Sequence, residues 1–309
     1  FPILEDLVEQ GATDYLIIAT GFYGQDDQTA VRANGILVTW ASDRPLGFSD
    51  EDIAALKKIQ RRFAAACKTI VQNRISRNIV ETYLGRQAGH QVLDGAIRLG
   101  DGSKTQAVVW YSDMRRSTAM ADTMEPQEFL ELLNSYFECT AGPAIEFGGE
   151  VLDFIGDAVL AIFPFEDEAG KSQAIRCATM AIEKSLQLGA EENARRESLG
   201  LMSFDYGIGV NVGSLMFGNI GVANRLSFSV IGPTINEVER IETLTKALDA
   251  KALVTSEIAA QEPEIWKSAG EHLLEGVAHQ RELFIRRDEV DSPVTTVVEM
   301  DERVPALPH

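Results

Sequence analysis

Asp113 and Asp157 are the residues whose type and placement can do chemistry. Asp113 follows an apolar run, residues 106–112 (QAVVWYS), that reads as a buried strand. Asp157 sits at the turn Gly156-Asp157 between two strand-like runs, Glu150–Ile155 and residues 158–163. A sheet that sets these strands side by side brings both carboxylates to one edge. Hard cations suit such an edge, because Mg²⁺ is commonly held by one or two carboxylates together with substrate phosphates. Two such ions can activate a nucleophile and screen a leaving group. Taken alone, two aspartates at strand ends are more often turn or capping residues. A second candidate pair, Asn236 and Arg240, is one helical turn apart and so on one face. Each has a plain reading as well: Asn236 can open the helix after Gly232-Pro233, and Arg240 can pair with Glu237 or Glu239.

The elements that must position these residues follow from periodicity and punctuation. After Pro126 an amphipathic helix runs to Gly148-Gly149, and the hairpin that carries Asp157 comes next. A helix over residues 172–188, a strand over 204–212 and a helix opening near Asn236 complete a β-α-β-β-α-β order. The expected fold is an α+β sandwich with a mainly antiparallel sheet. Upstream, residues 36–40 favour a strand, and Ser49 with Asp52 forms the opening of a long helix. Leu56, Phe63 and Ile70 recur in that helix at heptad spacing, with Ile59 and Ala66 between them. This short seam suits either a second helix or burial in its own domain. Gly85, Gly89, Gly95 and the stretch GDGSK mark a linker before a new composition begins near Thr105, and the tail 289–309 is expected to be disordered.

Composition narrows the function classes. A net charge of -19 disfavours a protein that grips nucleic acid or anionic lipid, since both would be repelled. Cys67, Cys139 and Cys177 are widely separated and lack CxxC spacing, so they read as reduced thiols and not as a disulfide framework or zinc site. No apolar run approaches the roughly 20 residues of a membrane helix, and the first residues lack a signal-peptide pattern. A cytoplasmic location is the expectation. The chain begins at Phe1, so upstream membrane or sensor segments are compatible with it.

Four ordered segments resemble class III adenylate and guanylate cyclases over about residues 105–286. They are SDMRRST after a strand, GGEVLDFIGDAVLAIF over a hairpin, the Gly-rich GNIGVANRLSFSVIGP, and TINEVERIE with its Asn and Arg. The resemblance implies a ferredoxin-like cyclase sandwich that converts ATP or GTP to the 3′,5′-cyclic monophosphate and pyrophosphate. It implies that Asp113 and Asp157 bind two Mg²⁺ or Mn²⁺ ions, with the Met114 carbonyl as a further ligand. Backbone N–H groups of Arg115, Arg116, Ser117 and Thr118 would cradle the terminal phosphates, Asn236 would orient the ribose and Arg240 would stabilise the α-phosphate. It further implies a head-to-tail homodimer with active sites at the interface. A degenerate domain that dimerises or binds nucleotide without turnover is the competing expectation.

The sequence departs from the family at informative positions. Where adenylate cyclases of this kind usually carry a Lys and an Asp or Thr to read the base, this chain has Asp153 and Ser229, a pattern closer to guanylate cyclases. A carboxylate accepts from guanine N1–H and the 2-amino group, whereas adenine N1 would face an acceptor. Asp is shorter than the Glu usual in guanylate cyclases, so adenine and guanine both stay open. The family's late phosphate-contacting Lys has no clear counterpart, Glu275 preceding Gly276, and Arg225 is a candidate substitute or a hairpin salt-bridge partner. Residues 1–50 resemble the end of a GAF-like sensor, and residues 51–104 read as a connecting helix and linker able to pass a dimer rearrangement to the site.

Overall fold

The computed structural model describes residues 2–22, 35–95, 102–222, 225–277 and 279–290. The chain divides into two compact units, Phe1–Tyr83 and Leu84–His309. The expected tail lies outside the described residues from 291 onward, its first two residues ending α9, and so do the side chain of Arg225 and part of the GDGSK stretch. Among the described residues no helix is long and apolar enough to cross a membrane.

In the first unit, helix α1 (Pro2–Glu9) precedes an antiparallel hairpin of β1 (Asp14–Gly21) and β2 (Gly35–Ser42), followed by α2 (Asp50–Leu84). The start of α2 is the capping box anticipated above: the Asp52 amide donates to Ser49 Oγ at 3.2 Å, and the Ser49 amide donates back to Asp52 Oδ2 at 2.9 Å. The helix turns Gln60 and Ala64 inward, and Gln60 Nε2 donates to the Ile18 carbonyl on β1. Ile59, Phe63 and Ile70, on the heptad seam, stay more than half exposed. Leu56, at the start of the same seam, is partly buried.

The second unit opens with α3 (Arg86–Leu93) and then follows the anticipated order: β3 (Gly102–Met114), α4 (Ser117–Thr123), α5 (Pro126–Glu146), β4 (Glu150–Ile155), β5 (Ala158–Phe165), α6 (Glu168–Ser198), β6 (Tyr206–Val222), β7 (Arg225–Ile231) and α7 (Pro233–Ala247). The chain continues through β8 (Ala252–Thr255), α8 (Ser256–Ala259), β9 (Trp266–Leu273), β10 (Gln280–Arg286) and α9 (Arg287–Val290). The sheet runs β4-β5-β3-β6-β8-β10-β9, with β7 paired to β6, and its pairings are antiparallel except β6 with β8. An α+β sandwich with a mainly antiparallel sheet is thus what the chain forms.

Alternation along the central strands sorts the two layers. Val108, Trp110 and Met114 on β3, with Ile208 and Val210 on β6, join Leu132 and Tyr136 of α5 and Ile175 and Ile182 of α6 in the main core. The opposite face puts Ala107 and Val109 under Val238 of α7. The sequence YGIGVNVG explains how closely α7 sits on β6. Residues 207, 209, 211 and 213 point toward it, and three of them are Gly. A Cβ at Gly209 would lie 2.6 Å from the Val238 carbonyl, so any side chain there would drive the helix away. Asn211, the exception, instead donates from Nδ2 to Glu237 Oε2 at 3.0 Å.

Several boundaries differ from the sequence expectation. Helix α6 is longer at both ends than residues 172–188, because Asp167 caps its start by accepting from the Gly170 amide at 2.7 Å. Helix α7 opens at Pro233, so Asn236 stands inside the helix and does not begin it. Strands β3 and β6 extend well beyond their apolar runs, since they pair with one another from Gly102–Gly218 to Met114–Tyr206.

Candidate active site

Register brings the two aspartates together. Asp113, at the end of β3, stands opposite Ala158 of β5, and Asp157 precedes that residue in the turn where Gly156 adopts φ 67°. Burial, then the charge and hydrogen bonding of the neighbouring Asp157, push Asp113 up to about 6, and Lys246 opposes the rise. Two acids that crowd one another in this way form a donor set that a divalent cation can occupy. Tyr111, one side-chain repeat back on the same face, is pushed up by burial and by Asp113, Glu239 and Glu242.

The turn after Met114 is held from outside the motif. The Arg115 amide donates to the Asp205 carbonyl at 2.7 Å, its Nη1 donates to Asp205 Oδ2 at 3.3 Å, and its Nη2 donates to the Ala250 carbonyl at 2.7 Å. Asp205 also pairs with Lys251. Burial pushes the Asp205 carboxyl up, but the hydrogen bond and charge of Lys251, with Arg115, outweigh it and leave the group below the usual carboxylate range. The Arg115 N–H is therefore committed to Asp205 and is not available to a phosphate cradle. Arg116 takes a left-handed conformation, φ 62°, and starts α4, leaving Ser117 and Thr118 in the first helical turn. The Met114 side chain is buried in the core, so its carbonyl is the part of it that can face an ion.

Asp153 and Ser229 line one cavity of about 100 Å³, whose other walls are apolar, among them Leu84, Leu160, Phe217, Val230 and Ile235. Ile235 belongs to the first turn of α7, beside Asn236, which is exposed. Arg240 lies 3.6 Å from Glu239, one of its two anticipated acidic neighbours. Among the described residues, no hydrogen bond or ion pair joins Asn236 or Arg240 to the carboxylate pair of the same chain.

Residues that motif reading passed over shape the site as well. Glu242 on α7 is 2% exposed, and its carboxylate accepts from Thr245 Oγ1 at 3.4 Å. It packs over Gly207, the β6 partner of Asp113. Burial and then the Asp113 charge push it up to about 7. Within ERIETL it looked like any acid on a helix, and only the facing Gly207 of β6 hinted that this position is covered. Glu237 accepts from Asn211 and from Arg281 of β10, at 3.0 and 3.3 Å, which ties the turn bearing Asn236 to two strands.

Residues 101–273 match the family described as Adenylate and Guanylate cyclase catalytic domain. The chain is similar to an adenylate cyclase of Anabaena cylindrica, 30% identical over 162 residues that make up 52% of this chain and 32% of that protein. It is also similar to adenylate cyclase 1 of Rhizobium meliloti (strain 1021), 28% identical over 160 residues, or 51% of this chain and 24% of that one. The match thus spans under a third of these curated relatives. Among solved structures, the guanylyl cyclase Cya2 aligns with a TM-score of 0.51 at 26% identity, covering 61% of this chain and 94% of that chain. A bacterial light-regulated adenylyl cyclase aligns at 0.58 and 20% identity over 73% of this chain and 64% of its own, a likeness of fold.

Proposed function

The chain belongs to the adenylate and guanylate cyclase catalytic domain family, and we propose that it converts a purine nucleoside triphosphate, ATP or GTP, to the 3′,5′-cyclic monophosphate and pyrophosphate. The observation that carries this reading is the Asp113–Asp157 pair, two partly buried acids brought together at adjoining strand ends, each raising the cost of the other's charge. In this reading Asp113, Asp157 and the Met114 carbonyl hold two Mg²⁺ or Mn²⁺ ions, whose coordination is completed by phosphate oxygens. Bound there, the ions supply charge neutralisation at the reacting phosphate and lower the pKa of the attacking hydroxyl.

The chain's own groups carry the rest. Backbone N–H groups of Arg116, Ser117 and Thr118 receive the terminal phosphates. Asn236 holds the ribose so that O3′ faces the α-phosphorus. The O3′–P bond forms as the bond from that phosphorus to the bridging oxygen breaks, the hydroxyl proton is released, and pyrophosphate leaves. Arg240 meets the charge that gathers on the α-phosphate. Positioning and electrostatics of this kind account for most of the acceleration of phosphoryl transfer. With no hydrogen bond or ion pair between Asn236 or Arg240 and the carboxylates of their own chain among the described residues, a head-to-tail homodimer that offers one chain's pair to the other's is the assembly this reading takes. Its place is the cytoplasm, where nucleoside triphosphates are supplied.

Of the two purines, the cavity favours guanine. Its ionisable group is a carboxylate, Asp153, and its hydroxyl is Ser229, within otherwise apolar walls. The carboxylate accepts from guanine N1–H and N2–H while the hydroxyl donates to O6; adenine would set its N1 lone pair against the same acceptor. Glu275, exposed beside Gly276, favours a second reading, a domain that binds nucleotide without turnover, since it places an acid where a phosphate-binding cation is usual for the family. Incubation of the purified chain with GTP or ATP and Mn²⁺ or Mg²⁺, with products identified by mass, separates the two readings. A cyclic product supports turnover; nucleotide binding without product supports the second reading.

A further inference from the structure

The cavity that holds Asp153 and Ser229 has one wall from far outside the motifs. Leu84 is the last residue of α2 and the first of the catalytic unit, and it lines the cavity with Leu152, Ile155 and Ile235. It is 37% exposed, an unusual position for a leucine on a wall with no protein cover of its own. Its placement is built. Gly85, directly after it, takes φ 80°, and a Cβ at that position would lie 3.1 Å from the Val151 carbonyl on β4. The left-handed turn therefore presses on the strand that carries Asp153. Beyond the turn, Gly89 is buried within α3, and Gln91 Nε2 donates to Ser103 Oγ on β3 at 3.1 Å. The segment thus runs close against β4 and is hydrogen-bonded to β3, and Leu84 precedes it on the wall of the cavity.

A purine has two recognition surfaces, a polar edge and two apolar faces. Asp153 and Ser229 can satisfy the edge, but neither can cover a face. We propose that Leu84 is a substrate-contacting residue that covers a purine face, so that nucleotide affinity depends on the end of α2 as well as on the motif residues. The proposal rests on the reading that this cavity takes the base of a nucleoside triphosphate. Aliphatic cover of a flat ring excludes water without reading the edge, so Leu84 supports binding of both purines and leaves their discrimination to Asp153 and Ser229.

The test uses the whole chain and follows KM for GTP and ATP beside the inhibition constant of pyrophosphate, which has no base. Leu84→Ala removes about half of the leucine's apolar area, and KM is expected to rise about fivefold for both nucleotides. Pyrophosphate inhibition is expected to stay within twofold. Gly85→Ala, which keeps every cavity side chain but pushes the turn from β4, is expected to raise nucleotide KM in the same selective way. Unchanged KM in Leu84→Ala, or KM and pyrophosphate inhibition weakening together in both variants, would overturn the proposal. A wild-type chain that binds pyrophosphate but neither nucleotide more tightly would instead defeat the reading of the cavity as a base site, and Leu84 with it.

Discussion

Asp113 and Asp157 meet where β3 pairs with β5, close enough for one to raise the pKa of the other, although two helices and a strand separate them in sequence. That relationship sets how cations compete with protons. Asp113 sits at about 6, so protons displace divalent ions as the pH falls through that value. Mn²⁺ affinity, followed by calorimetry, is expected to drop roughly tenfold per unit of pH below about 6 and to flatten above it. Asp157→Asn removes the like charge and one ligand together, and is expected to abolish most Mn²⁺ binding at pH 7.5.

Glu242 carries a linked stability prediction. Burial raises its carboxyl from the ordinary value of 4.5 to about 7 in the fold, so the native state binds more protons than the unfolded chain in that window. The associated stability is fully present below the unfolded value and is lost as pH rises through the folded one. The metal-free protein should therefore lose Tm between about pH 4.5 and 7.5. Glu242→Gln keeps an acceptor for Thr245 and removes the charge, and should recover about 2 kcal/mol at pH 8. A Tm profile of the variant that parallels wild type would contradict this.

The Arg115–Asp205 pair predicts a defect at a distance. Arg115 reaches Asp205 through both its amide and its guanidinium, and Lys251 completes the cluster. Asp205→Ala removes the carboxylate partner of the largely buried guanidinium while keeping the amide-to-carbonyl bond, so the turn that follows Asp113 loses one of its two ties to residue 205. The expected cost is about 1–3 kcal/mol in stability. Turnover should fall through kcat more than through KM, because Asp205 lies outside the base cavity. Denaturant titration beside steady-state kinetics checks both.

The glycines of β6 predict which small changes the fold refuses. Gly209→Ala would put a methyl 2.6 Å from the Val238 carbonyl, and Val238 is fully buried, so α7 must shift with Asn236 and Arg240 aboard. A loss of about 1–3 kcal/mol is expected, with activity falling further than the folded fraction. The same substitution at Gly148, where a Cβ meets nothing within 4 Å but φ is 85°, tests backbone strain alone. It should cost about 1 kcal/mol with no selective effect on activity.

How far the sequence exposes this architecture depends on whether the deciding interaction is local. Ser49 and Asp52 lie within one turn and satisfy each other's amides, so the start of α2 was readable from the chain. The hairpin of β4 and β5 was readable because apolar runs flank a Gly-Asp turn. Helix α4 was not, since its start is set by the left-handed Arg116, a residue type that gives no such signal. The Arg115 amide was expected to face phosphate, but its partner is the carbonyl of Asp205, remote in sequence. Helix α7 begins earlier than its polar face suggested because Pro233 fits a first helical position. The motif residues themselves were legible, whereas Glu242, Asp205 and Leu84, which surround them, depend on packing that no spacing reveals.

The most direct measurement of the central claim is product formation by the purified chain with GTP and ATP, in Mn²⁺ or Mg²⁺, identified by mass beside Asp113→Ala and Asp157→Ala. The account predicts a 3′,5′-cyclic monophosphate and pyrophosphate from the wild type, faster from GTP, and a loss of at least a hundredfold in either variant, on the order of 3 kcal/mol of transition-state stabilisation. Absence of any cyclic product under every condition, or equal product from the alanine variants, would contradict it.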